Sequence, residues 1–296
     1  NAAMDVLMQP TVPKAPTHAL NRRSGVIKYT AILFAVIVSA TVVYIIFSDK
    51  VRSERDLSAL LPSCERLSTF GCEKHRRTLR SRLRRGRSAK KAAAESLLVS
   101  NPTTSFGYAE TFRLLRTRVE YLLNKNGQKT LLIASVAEGE GKTITAANLA
   151  VMLSYAGNKV LLIDGNCDTD ANPGLSKLFG ITPKDEDCLC ARLETGNVSG
   201  LPSPEGAKHL RLLPNNDFSG DAADIIVSEK MNKLIRAARE QYDFIIIDTP
   251  ALCRSGLAEY YAELSDCAVM VVRQGVASGR SIRDAVDTLS GSTQIL

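Results

Sequence analysis

The sequence predicts an α/β protein: a doubly wound parallel sheet with helices on both faces, preceded by one transmembrane helix. Three observations predict it. Five short aliphatic runs, Thr130 to Ala134, Val160 to Ile163, Leu210 to Leu213, Phe244 to Ile247 and Ala268 to Val272, are continuous rather than alternating, as strands buried on both faces are. Amphipathic stretches near Thr143 to Tyr155, Ser228 to Glu240 and Ser281 to Leu289 separate them, which is the alternation that yields a parallel sheet. Ahead of all of these, the nineteen residues from Tyr29 to Phe47 carry no charge and span about 28 Å as a helix, the thickness of a bilayer core.

Composition agrees with that architecture. In 296 residues, 45% hydrophobic and 23% charged residues lie near the averages of packed soluble proteins, which excludes global disorder, collagen-like repetition and a multi-span membrane protein. The seven cysteines (Cys64, Cys72, Cys167, Cys188, Cys190, Cys253, Cys267) are odd in number and irregularly spaced, so they read as reduced cytosolic thiols rather than a disulfide framework. The net charge of +7 resembles a nucleic-acid footprint until it is divided along the chain. Residues 1–95 carry 18 Lys and Arg against 7 Asp and Glu, a surplus of +11, whereas residues 96–296 carry 20 against 24, a balance of −4. The basic excess is local, and no nucleic-acid partner is expected.

Taken in order, residues 1–28 hold Pro10, Pro13 and Pro16, a spacing that favours an extended approach to the membrane. The span at 29–47 lacks the polar stripe of a buried core helix and the small-residue cleavage site of a signal peptide. Four Lys and Arg precede it and fourteen follow over residues 48–95, so the positive-inside rule puts the C-terminal side in the cytoplasm. Residues 48–100 read as a basic juxtamembrane linker. Its run from Arg76 to Lys91 has nine Lys and Arg and no acid, and is either a binder of the anionic inner leaflet or a solvated spacer. Asn1 at the start, and an apolar strand beginning within residues 290–296, read as truncated ends.

In parallel sheets ligands bind beyond the carboxyl ends of the strands, and three strand ends carry chemistry. The first is Ser135-Val136-Ala137-Glu138-Gly139-Glu140-Gly141-Lys142-Thr143, between a strand and a helix. Glycines let backbone N–H groups turn toward phosphate oxygens, the helix N-terminus adds partial positive charge, Lys142 reaches the β and γ phosphates, and Thr143 can bind Mg²⁺. The strict P-loop pattern wants Gly where Val136 stands, so the match is partial. The other two ends are Leu161-Leu162-Ile163-Asp164 and Ile245-Ile246-Ile247-Asp248-Thr249-Pro250. One acid at a strand end often only caps the next helix, but two beside a phosphate loop suit a hard cation that prefers oxygen ligands.

Together these motifs resemble the deviant P-loop ATPases and, more closely, the bacterial tyrosine kinases of capsule and exopolysaccharide synthesis. The phosphate loop, the second acidic motif and the Asp-Thr-Pro motif occur in the family's order. Glu110-Thr111-Phe112-Arg113-Leu114-Leu115-Arg116 resembles the Glu-x-x-Arg-x-x-Arg helix through which those kinases form rings. From the residues alone, Glu110, Arg113 and Arg116 share a helix face, and a solvated face remains the alternative. The prolines, the span and the stretch from Val51 to Leu57 are similar to the second span and exit of a polysaccharide chain-length determinant domain.

The resemblance implies a tyrosine kinase domain over residues 101–296 on the cytoplasmic side of a bacterial inner membrane, using ATP and Mg²⁺. Glu138, Gly139, Glu140, Gly141, Lys142, Thr143 and Ile144 would hold the nucleotide. Thr143, Asp164 and Asp248 would hold Mg²⁺, and Lys142, Asp164 and Asp248 would be catalytic. Implied partners are further copies of the chain in a ring, the polysaccharide polymerisation and export machinery, and a cognate tyrosine phosphatase.

There are departures. The family's second acidic motif reads Asp-x-Asp-x-Arg, whereas Asp164-Gly165-Asn166-Cys167-Asp168 has Asn and Asp in its last two places. Either Asp164 alone is ligand and base, or Asp168 or Asp170 substitutes, or the domain is a nucleotide switch. The C-terminal tyrosine cluster is not in the sequence, and Tyr260 and Tyr261 read as packing residues. Cys188 and Cys190 read as core thiols, and His18, His75 and His209 form no triad. Two rival functions are therefore a non-catalytic co-polymerase subunit ordered by ATP and a partition-type P-loop ATPase.

Overall fold

The computed structural model describes residues 18–47, 49–71, 97–166, 174–215 and 225–296. Pro10, Pro13, Pro16, the basic run from Arg76 to Lys91, Asp168 and Asp170 lie outside the described residues. The chain divides into two compact units, residues 1–49 and 50–296.

In the first unit, α1 (His18–Phe47) is one helix of 30 residues. Within it the 19 residues Gly25–Val43 are apolar and long enough to cross a membrane, and none of that stretch is buried by protein. Its two threonines agree with that reading. The Thr30 hydroxyl donates to the carbonyls of Val26 (3.0 Å) and Ile27 (2.9 Å), and the Thr41 hydroxyl donates to Ile37 (2.6 Å), so these polar groups are satisfied within the helix.

The second unit is a six-stranded parallel sheet in the order β3-β2-β4-β1-β5-β6. Its strands are β1 (Thr130–Ala134), β2 (Val160–Asp164), β3 (Leu210–Leu213), β4 (Phe244–Asp248), β5 (Cys267–Met270) and β6 (Gln294–Ile295). All five expected strands form, because their aliphatic side chains are buried alternately on the two faces. Leu131 and Ile133 face one core with α3 (Phe106–Asn126) and α4 (Lys142–Tyr155). Leu132, Leu161 and Ile163 face the other with α6 (Leu189–Thr195), α7 (Glu229–Gln241) and α8 (Leu257–Glu263). A short helix, α5 (Leu175–Leu178), and α9 (Gly279–Ser290) complete this order.

Two strand boundaries matter for the site. β2 and β4 run one residue beyond the expected aliphatic stretches and end on Asp164 and Asp248, which are register partners across the sheet. β6 is the strand that begins near the end of the sequence, and it pairs in parallel with β5. Tyr260 and Tyr261 pack as expected: Tyr261 is fully buried, and the Tyr260 hydroxyl donates to the carbonyl of Ser228 at 2.9 Å. None of the five described cysteines forms a disulfide.

Residues 50–71, within the stretch read as a linker, dock on this unit. The helix α2 (Glu54–Leu60) starts with a capping box between Ser53 and Asp56. Val51 is buried against Val136, Ala277 and Ile282, and Lys50 forms an antiparallel bridge with Ser278. The long helix α3 is capped by Ser105 and stopped by Gly127 at φ 66°, and it buries Phe112, Leu115, Val119 and Leu123 on one stripe. That leaves Glu110 and Arg113 outside.

Candidate active site

The phosphate loop leaves β1 at Ala134 and enters α4 at Lys142. Gly139 and Gly141 have φ of 73° and 103°, left-handed values that side chains resist, and these turn the loop into the helix N-terminus. The loop is braced from outside. Leu252 and Cys253, on the segment after Asp-Thr-Pro, donate their main-chain N–H groups to the carbonyls of Ser135 (3.0 Å) and Val136 (3.1 Å).

Glu140 faces inward. Its carboxylate, 5% exposed, accepts the main-chain N–H of Ala137 at 2.7 Å and that of Arg273 at 3.3 Å, so it holds the loop's own shape. Glu138 instead points out and pairs with Arg254 at 2.8 Å. Lys142 is buried at the start of α4, and Ile144 is half-buried behind it.

Asp164 and Asp248 lie side by side at the ends of β2 and β4, 3% and 1% exposed. Burial, and then the charge of Asp248, pushes the Asp164 carboxyl up to about 8. Burial pushes Asp248 up to about 6, against the hydroxyl of Thr143, which donates to it, and the Lys142 ammonium. Asp164 accepts the N–H of Leu175 at 3.1 Å and, more weakly, that of Asn166 at 3.4 Å. Asp248 has a buried Oδ1 with no hydrogen-bond partner. The backbone turns away at Gly165, where an added Cβ would come within 2.7 Å of the Asp248 carbonyl and 2.8 Å of the Tyr261 ring, so no side chain fits.

Two buried carboxylates held partly protonated, one with an orphan oxygen, form a site short of positive charge. Among the described residues no three His, Cys, Asp or Glu side chains converge. The donor set is thus two carboxylates and the Thr143 hydroxyl, which suits Mg²⁺, a cation that keeps waters and phosphate oxygens among its ligands. When bound, such an ion neutralises charge on the phosphates.

The predicted site residues therefore fall into three groups. Lys142, Thr143, Asp164 and Asp248 come together at the strand ends, with Gly139, Gly141 and Glu140 framing the loop. Glu110, Arg113 and Arg116 lie apart on α3, where Glu110 pairs with Arg113 at 2.8 Å and Arg116 lies 3.9 Å from Glu120. Arg254 and Arg273, which touch the phosphate loop, are absent from the expected set. Their signal was weak, a single basic residue after each of two strands.

The AAA domain family matches residues 123–278, more than half of the chain. The chain belongs to that family. Several proteins similar to it are named tyrosine-protein kinases, the group its motifs resemble. The tyrosine-protein kinase YwqD of Bacillus subtilis is 28% identical over 182 residues, covering 62% of this chain and 75% of YwqD. The succinoglycan biosynthesis transport protein ExoP of Rhizobium meliloti is 32% identical over 193 residues, covering 64% of this chain and 24% of ExoP. The chain thus matches most of one relative and about a quarter of the other. Among solved structures, the kinase domain of Escherichia coli tyrosine kinase ETK superposes with a TM-score of 0.65 over 83% of this chain and 92% of that one, at 19% identity, a likeness of fold.

Proposed function

We propose that this AAA domain protein is a membrane-anchored tyrosine autokinase that transfers the γ-phosphoryl of Mg-ATP to tyrosine and regulates exopolysaccharide chain length, polymerisation and export. The observation that carries the reading is the Asp164–Asp248 pair, buried, short of positive charge, and bonded through Asp248 to Thr143 of the phosphate loop. The names of the relatives support tyrosine as acceptor and polysaccharide as setting. Lys142 would bind the terminal phosphates, Thr143 and Asp248 would hold Mg²⁺, and Asp164 would be ligand or base. Catalysis of this kind rests on positioning and charge neutralisation.

The anchor would be α1, in a bacterial inner membrane with the kinase unit cytoplasmic, and the partners a ring of like chains, the export machinery and a cognate phosphatase. A second reading, a nucleotide-driven assembly switch, is favoured by Asn166 in place of an acid. The experiment is to add a tyrosine-rich tail to the chain as acceptor, incubate it with radiolabelled ATP and Mg²⁺, and measure phosphotyrosine in wild type and Asn166→Asp. A second carboxylate would raise the rate, by about 10²- to 10⁴-fold if it serves as a base. ATP bound by both proteins with no phosphotyrosine in either would make the domain a switch.

A further inference from the structure

Two arginines reach the phosphate loop from the ends of the two strands that flank β1, and they do so differently. Arg273, after β5, donates from its guanidinium to the Gly139 carbonyl at 3.0 Å and from its main chain to Glu140, so it belongs to the frame of the loop. Arg254, after β4, meets the side chain of Glu138 at 2.8 Å, and the two side chains stay 51% and 48% exposed. Its main chain is fixed. Arg254 N–H donates to the Ala251 carbonyl at 2.9 Å, and the two residues before it are laced to Ser135 and Val136. Only the side chain is placed to exchange partners.

We propose that Arg254 is a phosphate-binding residue held in reserve by Glu138, and that its guanidinium leaves that carboxylate for the terminal phosphoryl group when ATP fills the loop. The inference rests on the nucleotide reading above and adds a residue to it. An ion pair this exposed contributes little and is cheap to break. A guanidinium and a phosphate form paired, charge-assisted hydrogen bonds, which are stronger than a solvated pair. Arg254 also stands on the segment that leaves the strand end at Asp248 and is laced to the start of the phosphate loop, so one short stretch of chain links the carboxylate, the loop and the guanidinium. Pairing explains, too, how an outward carboxylate is tolerated on a loop meant for polyphosphate: Arg254 cancels its charge while the loop waits.

The test is calorimetric titration of the full chain in lipid nanodiscs with Mg-ATP and Mg-ADP, with the unliganded thermal midpoint as a check on folding. Arg254→Ala should weaken ATP binding about tenfold, the size of one charge-assisted hydrogen bond, and weaken ADP binding much less. Arg254→Lys should recover part of the loss. Glu138→Gln should tighten ATP binding about threefold, as expected for release from a weak surface pair, and that gain should vanish in the Arg254→Ala background. A latch of purely structural use predicts the opposite: both single variants weaken ATP and ADP alike, and the proposal fails. A Glu138→Gln gain that persists without Arg254 also overturns it, because Glu138 then acts by its own charge. A wild-type chain that binds neither nucleotide overturns the nucleotide reading itself.

Discussion

The carboxylate of Glu140 in the phosphate loop and the carboxylates at the ends of β2 and β4 are almost equally buried, yet they are opposites in what surrounds them. Glu140 has both oxygens engaged by main-chain N–H groups of Ala137 and Arg273. Asp248 has an oxygen with no partner, and burial raises it and Asp164 to about 6 and about 8. Burial alone therefore does not mark a site. A buried charge whose hydrogen bonds are complete is scaffold, and one whose partners are missing is waiting for a ligand.

The strongest way to sharpen that contrast is to remove Lys142, the cation whose charge acts on Asp248. Lys142→Met should abolish ATP binding in calorimetry while the circular dichroism spectrum stays that of the wild type, as the proposed role of the side chain at the phosphates requires. Unchanged affinity would remove the phosphate-loop assignment.

Next in size, the two kinds of carboxylate should respond to neutralisation with opposite signs. Glu140→Gln should lower the thermal midpoint, since one oxygen that accepts a main-chain N–H is lost at a cost of about 1–3 kcal/mol. Asp248→Asn should raise the midpoint of the cation-free protein and abolish phosphoryl transfer. The sign follows from linkage. Asp164 and Asp248 start from 3.8 and rise to about 8 and about 6 on folding, so between those limits the folded state holds more protons than the unfolded chain. Stability without cation should then fall as pH rises from about 4 to about 8, and Asp248→Asn should flatten the lower part of that slope. Melting curves at stepped pH with a chelator present decide it, and a wild-type midpoint that climbs over this range would contradict the account.

The smallest effect on folding is expected at α3. Replacing Glu110, Arg113 and Arg116 together by Ala should change the thermal midpoint by only a few degrees, because the Glu110–Arg113 pair is solvent-exposed. If the helix face is an intersubunit contact, light scattering will show the wild type as a larger assembly than the variant. Equal masses would leave it a solvated surface.

Much of this arrangement was legible in the residues. Continuous runs such as Ile245-Ile246-Ile247 marked strands buried on both faces, and the acids that follow them marked the working end of the sheet. What could not be read was lateral order. β4 inserts between β2 and β1, and only that placement makes Asp164 and Asp248 neighbours, through contacts remote in sequence. Glu140 was equally opaque, since a Glu between two glycines at a helix start looks like an exposed loop residue, and its inward turn depends on the positive φ of both glycines. The docking of Val51 was hidden for another reason. Its neighbours Lys50, Arg52, Glu54 and Arg55 are charged, and the apolar partners that bury it come from Val136 and from residues beyond 270.

The central claim, that the carboxylate pair is a cation site kept partly protonated until its ligand arrives, is tested most directly by counting protons. Mg-ADP should be titrated calorimetrically into the full chain in two buffers of different ionisation enthalpy, at pH 7 and at pH 9, with ADP plus chelator as the reference. With Asp164 at about 8 and Asp248 at about 6, the pair carries close to one proton at pH 7 that the cation must displace, so Mg²⁺-dependent release should be about one proton there and near zero at pH 9. Tight, Mg²⁺-dependent binding at pH 7 with no proton released would mean that the two carboxylates are already ionised or are not the ligands, and would contradict the account.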